Sequence, residues 1–232
     1  MSGLDSELPD DSQQFPTKLR VIAIDGPAGS GKSTIAKHLA RRLGLEYLDT
    51  GAMYRSVAFA VMVHGVDLAD SAAVVEVAKN SRIHVDESTV TVNGVDATTQ
   101  IRGPEVTRSV STVAAIPGVR EVLRVRQRAW AIERGGGVLE GRDIGTAVFP
   151  DAELKVYLSA SVKVRAERRA NEVAALDYET VATDLAARDA ADSSRQHDPL
   201  IQASDAIHLD TTELTIDEVV SNLVERLNTD HD

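Results

Sequence analysis

The chain contains no cysteine. Disulfides, thiol nucleophiles and cysteine-held metals are thereby excluded, and a reducing, cytoplasmic address is expected. Aromatic residues are only 3% of the 232, too few to build stacking platforms for single-stranded nucleic acid. Positive charge is also scarce: 25 Lys and Arg stand against 36 Asp and Glu, a net charge of −11. A broad nucleic-acid surface needs a positive field, so no nucleic-acid partner is expected. Any polyanion bound here must be small and held by a local cluster of cations. No apolar run approaches the ~20 residues that span a bilayer, and no membrane partner is expected. The first residues lack the basic and then apolar pattern of a signal peptide. His38, His64, His84, His197, His208 and His231 are scattered without ligand spacing, so none is assigned to metal or acid–base work. Hydrophobic residues make up 43%, ample for one large domain with an insertion, or two small ones.

Against these absences stands one explicit piece of chemistry, Gly26-Pro27-Ala28-Gly29-Ser30-Gly31-Lys32-Ser33-Thr34. The apolar run Val21-Ile22-Ala23-Ile24 precedes it and the helical pattern Ile35-Ala36-Lys37-His38-Leu39-Ala40 follows it. Strand, glycine loop and helix come in the order that a phosphate-binding P-loop requires. The glycines let backbone N–H groups turn inward, and the helix adds the positive end of its dipole. Lys32 is placed to reach the β- and γ-phosphates of ATP, and the Ser33 hydroxyl to sit on Mg²⁺.

Along the chain, residues 1–17 are polar, acidic and aperiodic, which reads as a disordered tail. A strand at Leu19–Asp25 leads into the loop, a helix at Lys32–Leu43 stops at Gly44, and a short strand at Leu45–Leu48 precedes a helix at Ala52–His64. Ser71–Lys79 reads as a helix. Arg82–Asp86 and Val90–Val92 then alternate at period two, and Asn93-Gly94 is a hairpin turn, so a small antiparallel sheet is inserted here. Gly103 and Pro104 open a helix to about Ala115, and Pro117 starts a long one reaching Glu133. On the latter, Val119, Val122, Leu123 and Trp130 form the inner face and Arg120, Arg124 and Arg128 another. Strands at Val138–Glu140, Leu154–Leu158 and Ala206–Leu209 alternate with helices at Tyr178–Ser193 and Thr215–Leu227 and with the arginine-bearing one that carries Arg165, Arg168 and Arg169. The fold class is α/β: a five-stranded parallel sheet flanked by helices, a small antiparallel insert and a helical lid. The expected division is a tail (1–17), core (18–79), insert (80–116), core (117–160), lid with flanking helices (161–197) and core (198–232).

P-loops serve switches, motors and kinases. The Asn-Lys-x-Asp and Asp-x-x-Gly patterns of regulatory GTPases do not occur, nor does an apolar strand ending in an acidic pair. A small-molecule kinase fits better, with its acceptor held by arginines. Arg188, Asp192 and Arg195 are four and three apart and share a helical face, although a solvated ion-pair stripe has the same spacing. Arg165, Arg168 and Arg169 share a face too, and there the solvated stripe is the favoured reading. Arg142-Asp143 follows a buried strand and lies between Gly141 and Gly145, at the ligand end of the sheet.

Asp49-Thr50-Gly51-Ala52-Met53-Tyr54-Arg55, Gly141-Arg142-Asp143-Ile144-Gly145-Thr146 and Arg188-Asp189-x-x-Asp192-x-x-Arg195 resemble the signatures of bacterial cytidylate kinases, members of the nucleoside monophosphate kinases. The similarity runs from about Leu19 to Leu227. It implies phosphorylation of CMP and dCMP by ATP with Mg²⁺, in a monomer with a mobile lid. By matching motif, Arg55, Arg142 and Arg188 hold the CMP phosphate; Ser111, Arg120 and Asp143 read cytosine; Asp192 with Arg188 holds the sugar. Arg195 reaches the phosphates in transit, Tyr54 packs beside the acceptor, and Arg165, Arg168 and Arg169 belong to the lid. Thr50 stands where the pattern often has serine, and the lid segment Ala170–Glu179 is short. The acceptor phosphate is already ionised near neutral pH, so alignment and charge neutralisation by Lys32, Arg142, Arg188 and Arg195 carry the catalysis without a general base. The alternatives are a P-loop kinase for another acceptor and a nucleotide-controlled binding protein that transfers nothing.

Overall fold

The computed structural model describes residues 19–172 and 178–229. The expected tail and part of the lid segment, residues 173–177, lie outside them. Five parallel strands form the main sheet: β1 (Arg20–Asp25), β2 (Tyr47–Asp49), β6 (Gly136–Gly141), β7 (Leu154–Ser159) and β8 (Ile207–Asp210), in the spatial order β2-β6-β1-β7-β8. β1 is central, paired with β6 on one side and β7 on the other. Its Val-Ile-Ala-Ile run is apolar on both faces because helices cover both, as a parallel sheet demands. The P-loop therefore leaves the middle of the sheet at its carboxyl edge.

One face is covered by α1 (Lys32–Leu43) and α8 (Ile216–Thr229), where Leu39, Leu223 and Leu227 pack onto Ile22, Ile24 and Leu158. The other carries α2 (Thr50–Val63), α3 (Ser71–Asn80), α4 (Pro104–Ala115) and α5 (Pro117–Glu133). The antiparallel sheet β3 (Ile83–Val85), β4 (Val90–Val92) and β5 (Val95–Asp96) joins that side: Val85, Val90 and Val92 share one core with Val57, Val61 and Leu139. The hairpin between β4 and β5 turns through Asn93 at φ 54° and Gly94 at φ 84°, both in the left-handed region that the dipeptide favours. Two further helices, α6 (Val162–Glu172) and α7 (Tyr178–Ser193), pack on each other and on Ala28 of the P-loop through Ala166, Val181 and Leu185.

Several local features depart from the sequence reading, among them the second strand, which runs Tyr47–Asp49 rather than Leu45–Leu48. Helix α2 begins at Thr50 rather than Ala52, because Asp49 serves as its N-cap and accepts the Ala52 N–H at 2.8 Å. Strand β6 begins at Gly136 rather than Val138: a side chain there would lie 2.1 Å from the Arg20 carbonyl, so the pairing of these two strands needs glycine. After Asp143 the chain makes one π-helical turn, Ile144–Val148, a segment to which the sequence reading assigns no element. Arg120 also moves. It shares the inward side of α5 and is 2% exposed, so the arginine row is not a surface stripe at that end.

Candidate active site

The P-loop is shaped by what its glycines allow. Gly29 sits at φ 76°, and a Cβ there would lie 2.8 Å from the Arg165 carbonyl, so α6 rests directly on the loop. Gly31, also left-handed, is the N-cap of α1 and has no side chain to occupy the place of an anion. Lys32, 5% exposed, donates to the Pro27 carbonyl at 2.6 Å and spans its own loop. Burial, then the charge of Arg142, pushes its ammonium down to about 7. Ser33 and Thr34 are exposed at the head of α1. Beside the loop lies a cavity of about 390 Å³ lined by Ser30, Gly31, Lys32, Arg168, Thr211 and Leu214, among others. Thr211 holds the loop by donating to the Ser30 carbonyl at 3.0 Å.

The lining of a second, tighter cavity of about 50 Å³ contains most of the residues that the sequence singles out. Thr50 and Tyr54 enter from α2, Ser111 from α4, Arg120 from α5, Arg142 and Asp143 from the end of β6, and Arg188, Asp192 and Arg195 from α7 and its exit. Arg195 lies beyond the end of α7, yet pairs with Asp192 as the three-residue spacing suggests. Asp192 also receives the Arg142 Nε at 2.8 Å. Burial works against the Asp192 charge, but Arg142, Arg188 and Arg195 outweigh it and hold its carboxyl below the usual range. Arg120 pairs with Asp143, lies 5.6 Å over the Tyr54 ring and donates to Asp198 at 3.0 Å. Burial raises the Asp143 carboxyl, with Arg120 opposing. Arg188 is half-buried, with its Nε enclosed and unpartnered, and desolvation followed by Arg142 and Arg55 pushes its guanidinium down to about 9. A desolvated cation short of acceptors is what an arriving anion would complete.

Arg55 is outside this lining. It is buried on α2, donates to the Ile101 carbonyl at 3.1 Å and to Thr107 at 2.8 Å, and so ties α2 to the insert. The lid arginines, expected on one face, diverge. Arg165 donates to the Ala28 carbonyl at 3.2 Å and to Asp189 at 2.5 Å, locking α6 and α7 to the P-loop. Arg168 donates to the Thr211 carbonyl at 2.7 Å and faces the larger cavity. Arg169 exerts its charge on Arg55 and Arg188, toward the acceptor side.

Sequence reasoning missed four carboxylates. Asp25, the last residue of β1, is 5% exposed and accepts backbone N–H groups from Ile144 and Gly145. Glu140, the penultimate residue of β6 next to β1, accepts the Tyr47 hydroxyl at 2.6 Å and interacts with Ser33 and Lys32; burial raises its carboxyl. Asp189 anchors Arg165, and Asp198 holds both Arg120 and Arg124. The first two had a signal: each is an acid at the carboxyl end of a central strand.

Mg²⁺ is tested by its donor set. No group of three or more His, Asp or Glu that could hold a metal occurs among the described residues. Mg²⁺ keeps most of its waters and takes few protein ligands beside nucleotide phosphates, so a single exposed hydroxyl, Ser33, with the Glu140 carboxylate near it fits the ion.

A phosphate loop at the carboxyl edge of a parallel sheet, with an arginine-lined pocket beside its lysine, defines a P-loop phosphotransferase that acts on a small anionic acceptor. A family profile described as cytidylate kinase matches residues 22–229, and the chain belongs to the cytidylate kinase family. It is a nucleoside monophosphate kinase. The cytidylate kinase of Geobacillus sp. (strain WCH70) is 49% identical over 215 residues, covering 89% of this chain and 96% of that protein. That of Streptomyces avermitilis is 46% identical over 209 residues, 88% and 90% of the two chains. A bifunctional pantoate ligase/cytidylate kinase of Synechococcus sp. (strain RCC307) is 47% identical over 224 residues; the match covers 92% of this chain and 44% of that protein. Among solved structures, an uncharacterized protein from Eubacterium ventriosum superposes with a TM-score of 0.51 at 12% identity, over 90% of this chain and 98% of that one, a likeness of fold alone. Among the described residues, no helix is long and apolar enough to cross a membrane.

Proposed function

We propose that the protein transfers the γ-phosphoryl group of ATP, carried with Mg²⁺, to CMP and dCMP. The observation that carries this reading is geometric. Asp25, before the phosphate loop, pairs in register with Gly141, before Arg142 and Asp143, so the two loops leave adjacent strand ends at the same edge of the sheet. On this reading donor and acceptor phosphates meet between Lys32 and Arg142.

On this reading the residues Gly26–Thr34 cradle the ATP phosphates, with Ser33 on the metal; when bound, Mg²⁺ neutralises the β- and γ-oxygens. Arg188, Arg142 and Arg195 take the acceptor phosphate and the group in transit, Asp192 takes the sugar, and Asp143, Arg120 and Ser111 read the base. The chain's contribution is alignment and charge: two polyanions are brought together, and no proton need be removed from an acceptor that is already ionised. Admitting a nucleotide to a cavity of about 50 Å³ requires the pocket to open, and the Arg142–Asp192 and Arg120–Asp143 pairs to re-partner onto substrate. Movement of α6 and α7 is the natural lid, which excludes water from the transferred group. A monomer and a cytoplasmic address are proposed, the latter supported by a composition without cysteine.

The test is a coupled assay with ATP and a panel of CMP, dCMP, UMP, AMP and GMP. Turnover highest with CMP and dCMP is expected. Preference for another monophosphate would overturn the acceptor assignment. ATP binding without any turnover would leave only a nucleotide-controlled binding protein.

A further inference from the structure

Asp25 is a buried carboxylate, 5% exposed, that the transfer chemistry does not use, and its partners are unusual. Its Oδ1 accepts the Ile144 N–H and its Oδ2 the Gly145 N–H, each at 2.8 Å. Those two groups open the π-helical turn Ile144–Val148, directly after Arg142 and Asp143. The other end of the turn is held as well: Arg128 donates from Nε to the Val148 carbonyl at 2.8 Å and from Nη2 to the Ala147 carbonyl at 3.2 Å. The packing around the turn is close: a Cβ at Gly145 would meet the Lys155 side chain at 3.2 Å and Asp25 Oδ2 at 3.4 Å. A carboxylate clamped at both oxygens fixes orientation as well as position, because neither oxygen can turn away without losing a charged hydrogen bond.

We infer that Asp25 is the positioning residue of the acceptor site: from the strand that feeds the phosphate loop, it sets the register of the turn that aims Arg142 and Asp143. The inference rests on the reading of those two residues as acceptor contacts. Asp25 immediately precedes Gly26, so one residue ties the donor loop and the acceptor loop to the same strand end. In-line transfer needs the two phosphates placed to a fraction of an ångström, and a shared anchor supplies this more rigidly than two loops that move independently. Arg120 cannot substitute, since it grips the Asp143 side chain and leaves the backbone of the turn free.

The variant is Asp25→Asn, which keeps the shape but presents an N–H₂ to one of the two backbone N–H groups. It is compared with the parent, Asp143→Asn and the double variant, measuring kcat/KM for CMP and UMP, the binding of CMP and ATP, and the thermal transition. In Asp25→Asn we expect CMP binding about tenfold weaker and ATP binding within about twofold. The CMP/UMP ratio is expected to fall, and to fall no further in the double variant than in Asp143→Asn alone. A ratio unmoved by Asp25→Asn but moved by Asp143→Asn would overturn the positioning role and reduce Asp25 to a fold contact, as would additive losses in the double variant. A ratio that Asp143→Asn leaves unchanged would instead overturn the base-reading role on which the inference stands. If Asp25→Asn does not fold, Asp25→Glu, which keeps the charge but displaces both oxygens, is measured against the same expectations.

Discussion

On the proposed reading the two cavities solve the same problem, holding phosphate, in opposite ways. The donor side is made from consecutive residues, Gly26 to Thr34, and its shape comes from backbone geometry: left-handed glycines, a helix start and a lysine folded across its own loop. The acceptor side is made from side chains of α2, α4, α5, α7 and the turn after β6, and its shape comes from arginine–carboxylate pairs. Pairing is what makes a cluster of guanidinium groups tolerable in a buried place before the substrate supplies its own charge. Local backbone chemistry can stand ready with little reorganisation, whereas the arginine pocket has to exchange internal partners for substrate.

The same difference decides what the sequence could reveal. The donor loop is legible because its chemistry is contiguous, and so are the helices and strands around it, whose apolar periods and caps agree with their burial. Gly44 ends α1 at φ 66°, as its position suggests. The acceptor pocket has no such signature. Spacing alone could not separate Arg188 and Asp192 from a solvated stripe, and only the family resemblance brought Ser111 and Arg120 to the site. The lid arginines show the limit: three residues of one apparent face serve the P-loop, the Thr211 strap and the acceptor side. Nothing local announces the π-helical turn or the glycine start of β6, since both arise from the close approach of a neighbouring strand.

The contrast breaks most visibly if the donor loop is disabled. Lys32→Ala is expected to lower kcat by ~10³ or more, because a cation in a water-excluded site is removed from where charge develops. The thermal transition should hardly fall, since burial disfavours that charge in the folded protein. Activity within about tenfold of the parent would deny Lys32 its role.

On the acceptor side the expected effect is smaller and directed at one substrate. Arg188→Ala should weaken CMP by ~10²-fold while ATP binding stays within about twofold. Equal losses for both substrates would mean that the pockets are not separable. Smaller again is the effect on base choice. Cytosine offers an amino group where uracil offers a carbonyl, so Asp143→Asn, whose amide can turn its N–H₂ toward uracil, should narrow the CMP/UMP ratio of kcat/KM by about tenfold. An unchanged ratio would leave Asp143 as a partner for Arg120 alone.

The smallest expected effect separates the two sites without mutation. The free protein holds the Lys32 ammonium at about 7, whereas Arg188 is at about 9. Just above neutral pH, then, burial leaves Lys32 largely discharged, whereas the Arg188 guanidinium keeps its proton. ATP placed on the loop favours the Lys32 ammonium, so donor binding should take up protons in that range. CMP should take up none through Arg188, whose charge is already present. The sign follows for stability. A depressed lysine disfavours folding when it must be charged, so this penalty is fully present below pH 7 and disappears as pH rises through the unfolded value near 10.5. Bound ATP removes the penalty, so the stabilisation it gives should lessen as pH rises through this range. Calorimetric titration with each nucleotide in buffers of different ionisation enthalpy counts the protons directly. Equal uptake by ATP and CMP would mean that the proton is not specific to the donor loop, and no uptake by ATP would mean that the loop lysine is already charged before its substrate arrives. The Pro27 carbonyl would then be accepting from an ammonium that the burial and the Arg142 charge fail to discharge.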